Sequence, residues 1–204
     1  MKKYRWTSLF LVLVSIQAQS AIISADATGF DSADVDFWGV SFDSGSGFIE
    51  SIEFDLSPLS AFDIRFDFNA ATIPQLTSPV IGTTSGLSVQ EINADFNGNN
   101  PTVLSFTFDS NTFGTGDSFR FTADTDSTVL LSNPFGEFHN GLLFTVLFED
   151  GTLISDHFII IEQLVIDGTS KSGITLTAVP VPPALWLFGS GLLAITLRRN
   201  RTQT

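Results

Sequence analysis

Strict alternation of apolar and polar residues is the feature of this sequence that most constrains its fold. In residues 62–68 every second position is apolar, which places Phe62, Ile64, Phe66 and Phe68 on one face. Successive side chains of a β-strand point to opposite faces, so this period predicts a half-buried strand of an antiparallel sheet. The same period recurs in residues 51–56, 104–108 and 119–121.

Other runs are apolar at consecutive positions: residues 142–148, 158–161 and 164–166. We interpret these runs as central strands that are covered on both faces. Turn-forming residues separate the runs, and residues 149–152 are the strongest hairpin signal. About ten such strands, with no amphipathic helix and no internal repeat, predict an all-β fold, an antiparallel β-sandwich of jelly-roll-like type.

The first 21 residues have the three-part layout of a secretory signal peptide. Basic residues (Lys2, Lys3, Arg5) precede an apolar stretch at residues 9–16, and small residues follow it. This layout predicts export and cleavage after Ala18, Ser20 or Ala21. The apolar stretch is far shorter than the ~20 residues of a spanning helix, which disfavours an uncleaved anchor.

Charge is segregated along the chain, although the total is −13. Six of the nine bases lie at the two ends, whereas residues 22–178 carry three bases against all 22 acids, a net charge of −19. So negative a surface repels nucleic acid and favours divalent cations or cationic partners. The chain has no cysteine, which fits an exported protein of this size that needs no disulfide.

Catalytic motifs are absent from the sequence. The two histidines, His139 and His157, are far apart, and we expect both at the surface. No nucleophile elbow, zinc-binding helix or phosphate loop is found, so we expect no enzyme and no catalytic residues. A hydrolase would require the carboxylates of the body to converge in a cleft.

Carboxylates are the abundant metal ligands of the body, and hard oxygen donors suit Ca²⁺. Asp117, Asp124 and Asp126 are the candidate calcium ligands, and residues 31–36 form a second acidic stretch. Neither stretch matches a known calcium loop, and Asp also marks turns and keeps a surface soluble. We therefore expect no cofactor, with calcium as the open alternative.

Polysaccharide is a second ligand that the sequence leaves as an alternative. Trp38 is the only tryptophan of residues 22–178 and could stack on a sugar, although its apolar neighbours favour a place in the core.

The C-terminal segment combines prolines, a short apolar run and arginines. Residues 184–197 carry no charge and span roughly 21 Å as a helix, against the ~30 Å of a hydrocarbon core. The span is feasible because Arg198, Arg199 and Arg201 can snorkel at its end. By the positive-inside rule these arginines stay in the cytoplasm and the acidic body faces outward.

Together with the signal peptide, this segment resembles the PEP-CTERM sorting signal, in particular its variant that reads Val-Pro-Leu-Pro-Ala. Val179, Pro180, Val181, Pro182 and Pro183 stand at the position of that motif. The apolar run Ala-Leu-Trp-Leu-Phe-Gly-Ser-Gly-Leu at 184–192 and the terminal Arg-Arg-Asn-Arg complete the similarity. Val181 and Pro183 depart from the variant, and about 23 of the 204 residues are covered.

The resemblance implies a substrate of an exosortase, a membrane enzyme of Gram-negative bacteria that processes such tails near the proline motif. The implied path is export, transient anchoring in the inner membrane and delivery to the cell surface, in species that make exopolysaccharide or biofilm. We expect a signal peptide (1–21), an extracytoplasmic β-domain (22–178) and a sorting signal (179–204) with the motif at 179–183, a single transmembrane helix at 184–197 and a cytoplasmic tail at 198–204. The expected function is structural or adhesive, and the alternative is a carbohydrate-binding module with or without calcium.

Overall fold

The structure is a computed structural model that describes residues 20–29, 35–68, 76–127, 139–163 and 170–178. These residues belong to one compact unit, Ser20–Ala178. Short 3₁₀ helices span Ser57–Phe62 and Val89–Glu91. The strands of the described residues are β1 (Ala21–Gly29), β2 (Trp38–Ser44), β3 (Ile49–Asp55), β4 (Ile64–Phe66), β5 (Val80–Ser85), β6 (Ile92–Phe96), β7 (Val103–Phe108), β8 (Ser118–Thr122), β9 (Thr125–Ser127), β10 (Leu143–Phe148), β11 (Leu153–His157), β12 (Ile159–Gln163) and β13 (Ser170–Ala178).

Two antiparallel sheets form the fold. The six-stranded sheet has the order β12-β13-β1-β2-β8-β5, and the five-stranded sheet has the order β11-β10-β3-β7-β6. Strands β4 and β9 form a small separate ladder. The expectation of an all-β antiparallel fold is therefore confirmed.

Phenylalanine side chains join the two sheets in a common core. Phe54 of the five-stranded sheet lies 5.4 Å from Phe121 and 5.6 Å from Trp38 of the six-stranded sheet, measured between ring centroids. Phe106 lies 4.6 Å from Phe121 in the same way. All four side chains are fully buried. Burial of each phenylalanine contributes roughly 2–3 kcal/mol, so this cluster is a main source of stability.

The first and last strands of the body pair along their whole length. The register of β1 with β13 runs from Ala21 opposite Ala178 to Gly29 opposite Ser170. Each strand has a further neighbour, β2 for β1 and β12 for β13. The two ends of the body are consequently adjacent, in the interior of a sheet and not at its edge.

Two strand predictions need correction. Residues 62–68 are not one strand, because Phe62 ends a 3₁₀ helix and Asp63 takes a left-handed conformation (φ 45°) before β4 begins. Ile64, Phe66 and Phe68 are nevertheless buried as expected. Of residues 158–161, Phe158 is buried as expected but precedes the strand, whereas residues 159–161 belong to the edge strand β12, where Ile159 is 61% exposed.

Other predictions agree with the structure or lie outside the described residues. The hairpin at 149–152 is confirmed: Phe148 N donates to Thr152 O (2.9 Å) and Gly151 has a positive φ of 83°. Residues 164–166, residues 1–19 of the predicted signal peptide and the sorting signal lie outside the described residues, whereas Ala21, the last residue of the predicted signal peptide, is described and begins β1. None of the described residues belongs to a helix of the length and apolarity that a membrane crossing requires.

Candidate functional site

Three carboxylates meet beside the small β4–β9 ladder. Oxygen atoms of Asp67, Asp124 and Asp126 lie within 4.8 Å of one another. Asp67 and Asp124 are buried, at 5% and 7% exposure, whereas Asp126 is exposed. The three oxygens are close enough to contact one cation.

Pairing of distant segments builds this cluster. Phe66 lies opposite Thr125 and Arg65 lies opposite Asp126 in the ladder. The backbone of Asp67 continues the pairing, because its N–H donates to the carbonyl of Asp124 (2.9 Å). Asp67, which follows β4, and Asp124, which precedes β9, are thereby placed side by side.

The sequence predicted part of this group. Asp124 and Asp126 are brought together as expected, but Asp117 is not a member of the cluster. Its Oδ2 accepts a hydrogen bond from Gly114 N (2.7 Å) in the turn before β8, which is the turn-forming role of Asp. Asp67 was missed, because it stands at a polar position of an alternating run and only long-range pairing brings it to Asp124. Calcium binding stays a prediction.

The expectation that His139 lies at the surface is wrong. Its side chain is 3% exposed and its ring centroid lies 4.5 Å from that of Trp38 and 5.5 Å from that of Phe37. Nε2 lies 3.3 Å from Thr125 Oγ1, and Nδ1 is buried with no hydrogen-bond partner among the described residues. Burial lowers the pKa of His139 from 6.5 to about 4. The neutral ring is therefore a core residue at neutral pH.

His157 is exposed, as expected. Its Nδ1 lies 2.8 Å from the carbonyl oxygen of Gly141. Residue 157 ends β11, after which the chain passes from the five-stranded to the six-stranded sheet. The histidines thus have different environments, one in the aromatic core and one at the surface.

Trp38 is fully buried, and its Nε1 donates to Ala123 O (2.9 Å). Among the described residues, the large hydrophobic side chains that are exposed are all aliphatic: Val35, Val80, Val89, Leu153, Ile159 and Ile160. Sugars stack on exposed Trp, Tyr or Phe rings, and none of these is among the exposed side chains whose burial the structure describes.

An open pocket of about 430 Å³ lies at one end of the five-stranded sheet. Its lining residues are Glu50, Thr107, Phe108, Ser110 and Glu149. A carboxylate oxygen of Glu149 accepts a hydrogen bond from Asn111 N (2.6 Å). The pocket is polar and acidic, which fits a cationic group and not an anion.

The residues of the sorting signal (179–183, Arg198, Arg199 and Arg201) lie outside the described residues. The last described residue before them is Ala178, which is the final residue of β13. Comparisons of the chain with models of known protein families, with curated proteins and with solved structures find no match.

Proposed function

We propose that this chain is an exported protein that is sorted to the cell surface through its C-terminal segment by an exosortase-type membrane enzyme. Its β-domain, a jelly-roll-like sandwich in this proposal, has a structural or adhesive role in an exopolysaccharide matrix. The observation that carries the proposal is the order of proline motif, uncharged run and arginines at 179–201, combined with the N-terminal signal peptide.

Two further observations support the proposal. The compact unit of the body ends at Ala178, directly before the proline motif in the sequence. The net charge of −19 on residues 22–178 keeps an exported domain soluble and away from anionic lipid.

In this proposal the body has no catalytic role. Of the two histidines, His139 packs against Trp38 in the core and His157 is bound to a backbone carbonyl. No Trp, Tyr or Phe side chain whose burial is described is exposed as a stacking platform for a sugar, so no observation favours the carbohydrate-binding alternative.

Truncation tests the proposal. Removal of residues 179–204 should move the body from the membrane fraction to the periplasm or medium, as followed by fractionation and immunoblotting. A variant with Pro180, Pro182 and Pro183 replaced by Ala is the matched control. It should stay in the membrane at its unprocessed mass, because the apolar run is intact but the motif is lost. A truncated protein that still fractionates with membranes would refute the anchoring role.

A further inference from the structure

The chain contains two Asn-Gly dipeptides, Asn97-Gly98 and Asn140-Gly141, and the structure describes both. This dipeptide is especially prone to spontaneous loss of the asparagine amide, because glycine has no Cβ to crowd its own backbone nitrogen. That nitrogen must reach the side-chain carbonyl carbon, Cγ, of the asparagine before it. The backbone around each dipeptide decides whether it can, and the two dipeptides differ in this respect.

Asn140-Gly141 is held in a closed turn. Leu142 N donates to His139 O (3.1 Å), which makes Asn140 and Gly141 the central residues of a β-turn. Gly141 N, the atom that would have to attack, donates to Phe158 O (2.8 Å), and Phe158 N donates in return to Leu142 O (2.8 Å). The side chain of Phe158 is buried in the core. The turn is therefore fixed, and the nitrogen of Gly141 is occupied.

Asn97-Gly98 lies just beyond the end of a strand. The last register pair of β6 with β7 is Phe96 opposite Leu104, so Asn97 is the first residue of the connecting loop. Both residues of the dipeptide are exposed. Within the described part of the chain, the Gly98 N–H has no hydrogen-bond acceptor. A Cβ added to Gly98 would meet no atom within 4 Å. The nitrogen of Gly98 is consequently solvated, with open space around it.

The conformation of this loop also requires the residue type that makes the reaction easy. Gly98 has a φ of 78°, in the left-handed region that favours glycine. A bulkier residue, which would slow the attack, is therefore disfavoured at position 98.

We propose that Asn97 is a site of spontaneous deamidation in the folded protein and that the turn at 139–142 protects Asn140. Gly98 N forms a bond to Asn97 Cγ, and the bond from Cγ to Nδ2 breaks. The proton of Gly98 N, carried by water, completes the ammonia that leaves, and a five-membered succinimide ring remains. Water then opens the ring at either carbonyl, which gives aspartate or isoaspartate. The net reaction consumes one water and releases one ammonia, and it is not a redox reaction.

The fold tolerates the product at position 97. Isoaspartate carries the main chain through the side-chain carbon and lengthens it by one CH₂ group. Position 97 lies outside the β6–β7 ladder, so no register pair has to shift. The reaction adds one negative charge to a body that already carries −19. The loop that receives this charge contacts the segment of the aspartate cluster, because Phe68 N, next to Asp67, donates to Asn99 O (2.7 Å).

Ageing of the full chain, purified in detergent and kept in mildly alkaline buffer, tests the inference. Peptide mapping by mass spectrometry follows the conversion of amide to acid at each asparagine, and an isoaspartyl methyltransferase assay measures isoaspartate. We expect Asn97 to convert about tenfold faster than Asn140, which corresponds to about 1.4 kcal/mol, close to the net strength of the hydrogen bond that holds Gly141 N. This inference does not depend on the proposed function.

The same incubation in concentrated urea is the first control. The two sites should then convert at similar rates, because the dipeptides are identical and the turn is lost. Asn97→Gln is the matched variant: its longer side chain forms the ring far more slowly, so most of the isoaspartate signal should disappear while Asn140 converts as in the wild type.

Equal conversion of Asn97 and Asn140 in the folded chain, or faster conversion of Asn140, would overturn the inference. A difference that persists unchanged in urea would overturn it too, since it would then come from the flanking residues and not from the fold. An isoaspartate signal that is undiminished in Asn97→Gln would place the reaction at another residue.

Discussion

At the scale of single residues, position 39 requires glycine because the side chain of Arg120 passes directly over it. Arg120 reaches over β2 to Asp26, with Nη1 3.2 Å from Oδ1 and Nη2 3.0 Å from Oδ2. Its Nε also donates to the carbonyl of Asp36 (2.7 Å). A Cβ on Gly39 would lie 2.4 Å from Arg120 Nη1 and 2.8 Å from Asp26 Oδ1. One side chain therefore ties β1, β8 and the segment before β2 together across a glycine.

Replacement of Gly39 by Ala should lower the free energy of unfolding by about 1–3 kcal/mol, because the added methyl group displaces the guanidinium from Asp26. Urea denaturation measures the change. The double variant Gly39→Ala/Arg120→Ala is the control: it should cost less than the sum of the single variants, since truncation of the arginine makes room for the methyl group. Strict additivity would contradict this steric explanation.

His139 makes stability depend on pH. Its pKa is about 4 in the folded protein and 6.5 in an ordinary environment, since burial disfavours the charged ring. The unfolded chain therefore binds a proton first as the pH falls. The contribution of the neutral, buried His139 ring to the free energy of unfolding is complete above pH 6.5. It is lost between pH 6.5 and about 4, up to roughly 3 kcal/mol.

Unfolding of residues 22–178, in which Trp38 is the only tryptophan, can be followed by fluorescence, and the free energy of unfolding should fall by about 1.4 kcal/mol per pH unit in that window. Carboxylates also titrate near its lower end, so the comparison is with His139→Gln, which cannot charge. The difference between the two curves should shrink as the pH falls. Parallel curves would show that His139 is not responsible.

At the scale of strands, the β4–β9 ladder explains why the candidate metal group was only partly predictable. Asp124 and Asp126 are neighbours in the sequence, and their alternation signals a common face. Asp67 joins them through a pairing of segments 58 residues apart, which no local pattern encodes. The same limit applies to His139, whose burial depends on contact with Trp38, about a hundred residues earlier.

Calcium should raise the melting temperature of residues 22–178 if the three aspartates hold it. At a concentration of 100 times Kd, binding adds about 2.7 kcal/mol, a shift of roughly 5–10 °C for a domain of this size. Asp124→Asn should abolish the shift, whereas Asp117→Asn should keep it, because Asp117 serves the turn at Gly114. An unchanged wild-type melting temperature in millimolar Ca²⁺ would remove calcium from consideration.

Strands were predictable where alternation is strict and their ends are marked by turns. Residues 51–55 and 104–108 lie in β3 and β7 with the expected faces buried, since a one-residue slip would expose every phenylalanine. Apolar runs were less informative. Residues 159–161 have the composition of a covered strand but form an edge, because strand order is a property of the whole sheet.

At the scale of the whole molecule, the sequence predicted two antiparallel sheets around a phenylalanine core but not which strands are neighbours. Turn signals locate chain reversals, and the turn at 45–48 carries the chain from one sheet to the other and makes no hairpin. The pairing of β1 with β13 could not be expected from patterns at all, because about 140 residues separate the two strands.

That pairing means that the order of the strands along the chain is not essential to the fold. A Gly-rich linker of a few residues from Ala178 to Ala21 should close the body into a ring, which can then be reopened between Asp150 and Gly151, an exposed turn. This circular permutant should melt within a few degrees of the parent and keep the buried fluorescence of Trp38. If it does, the sandwich is specified by its contacts and not by the position at which its chain starts.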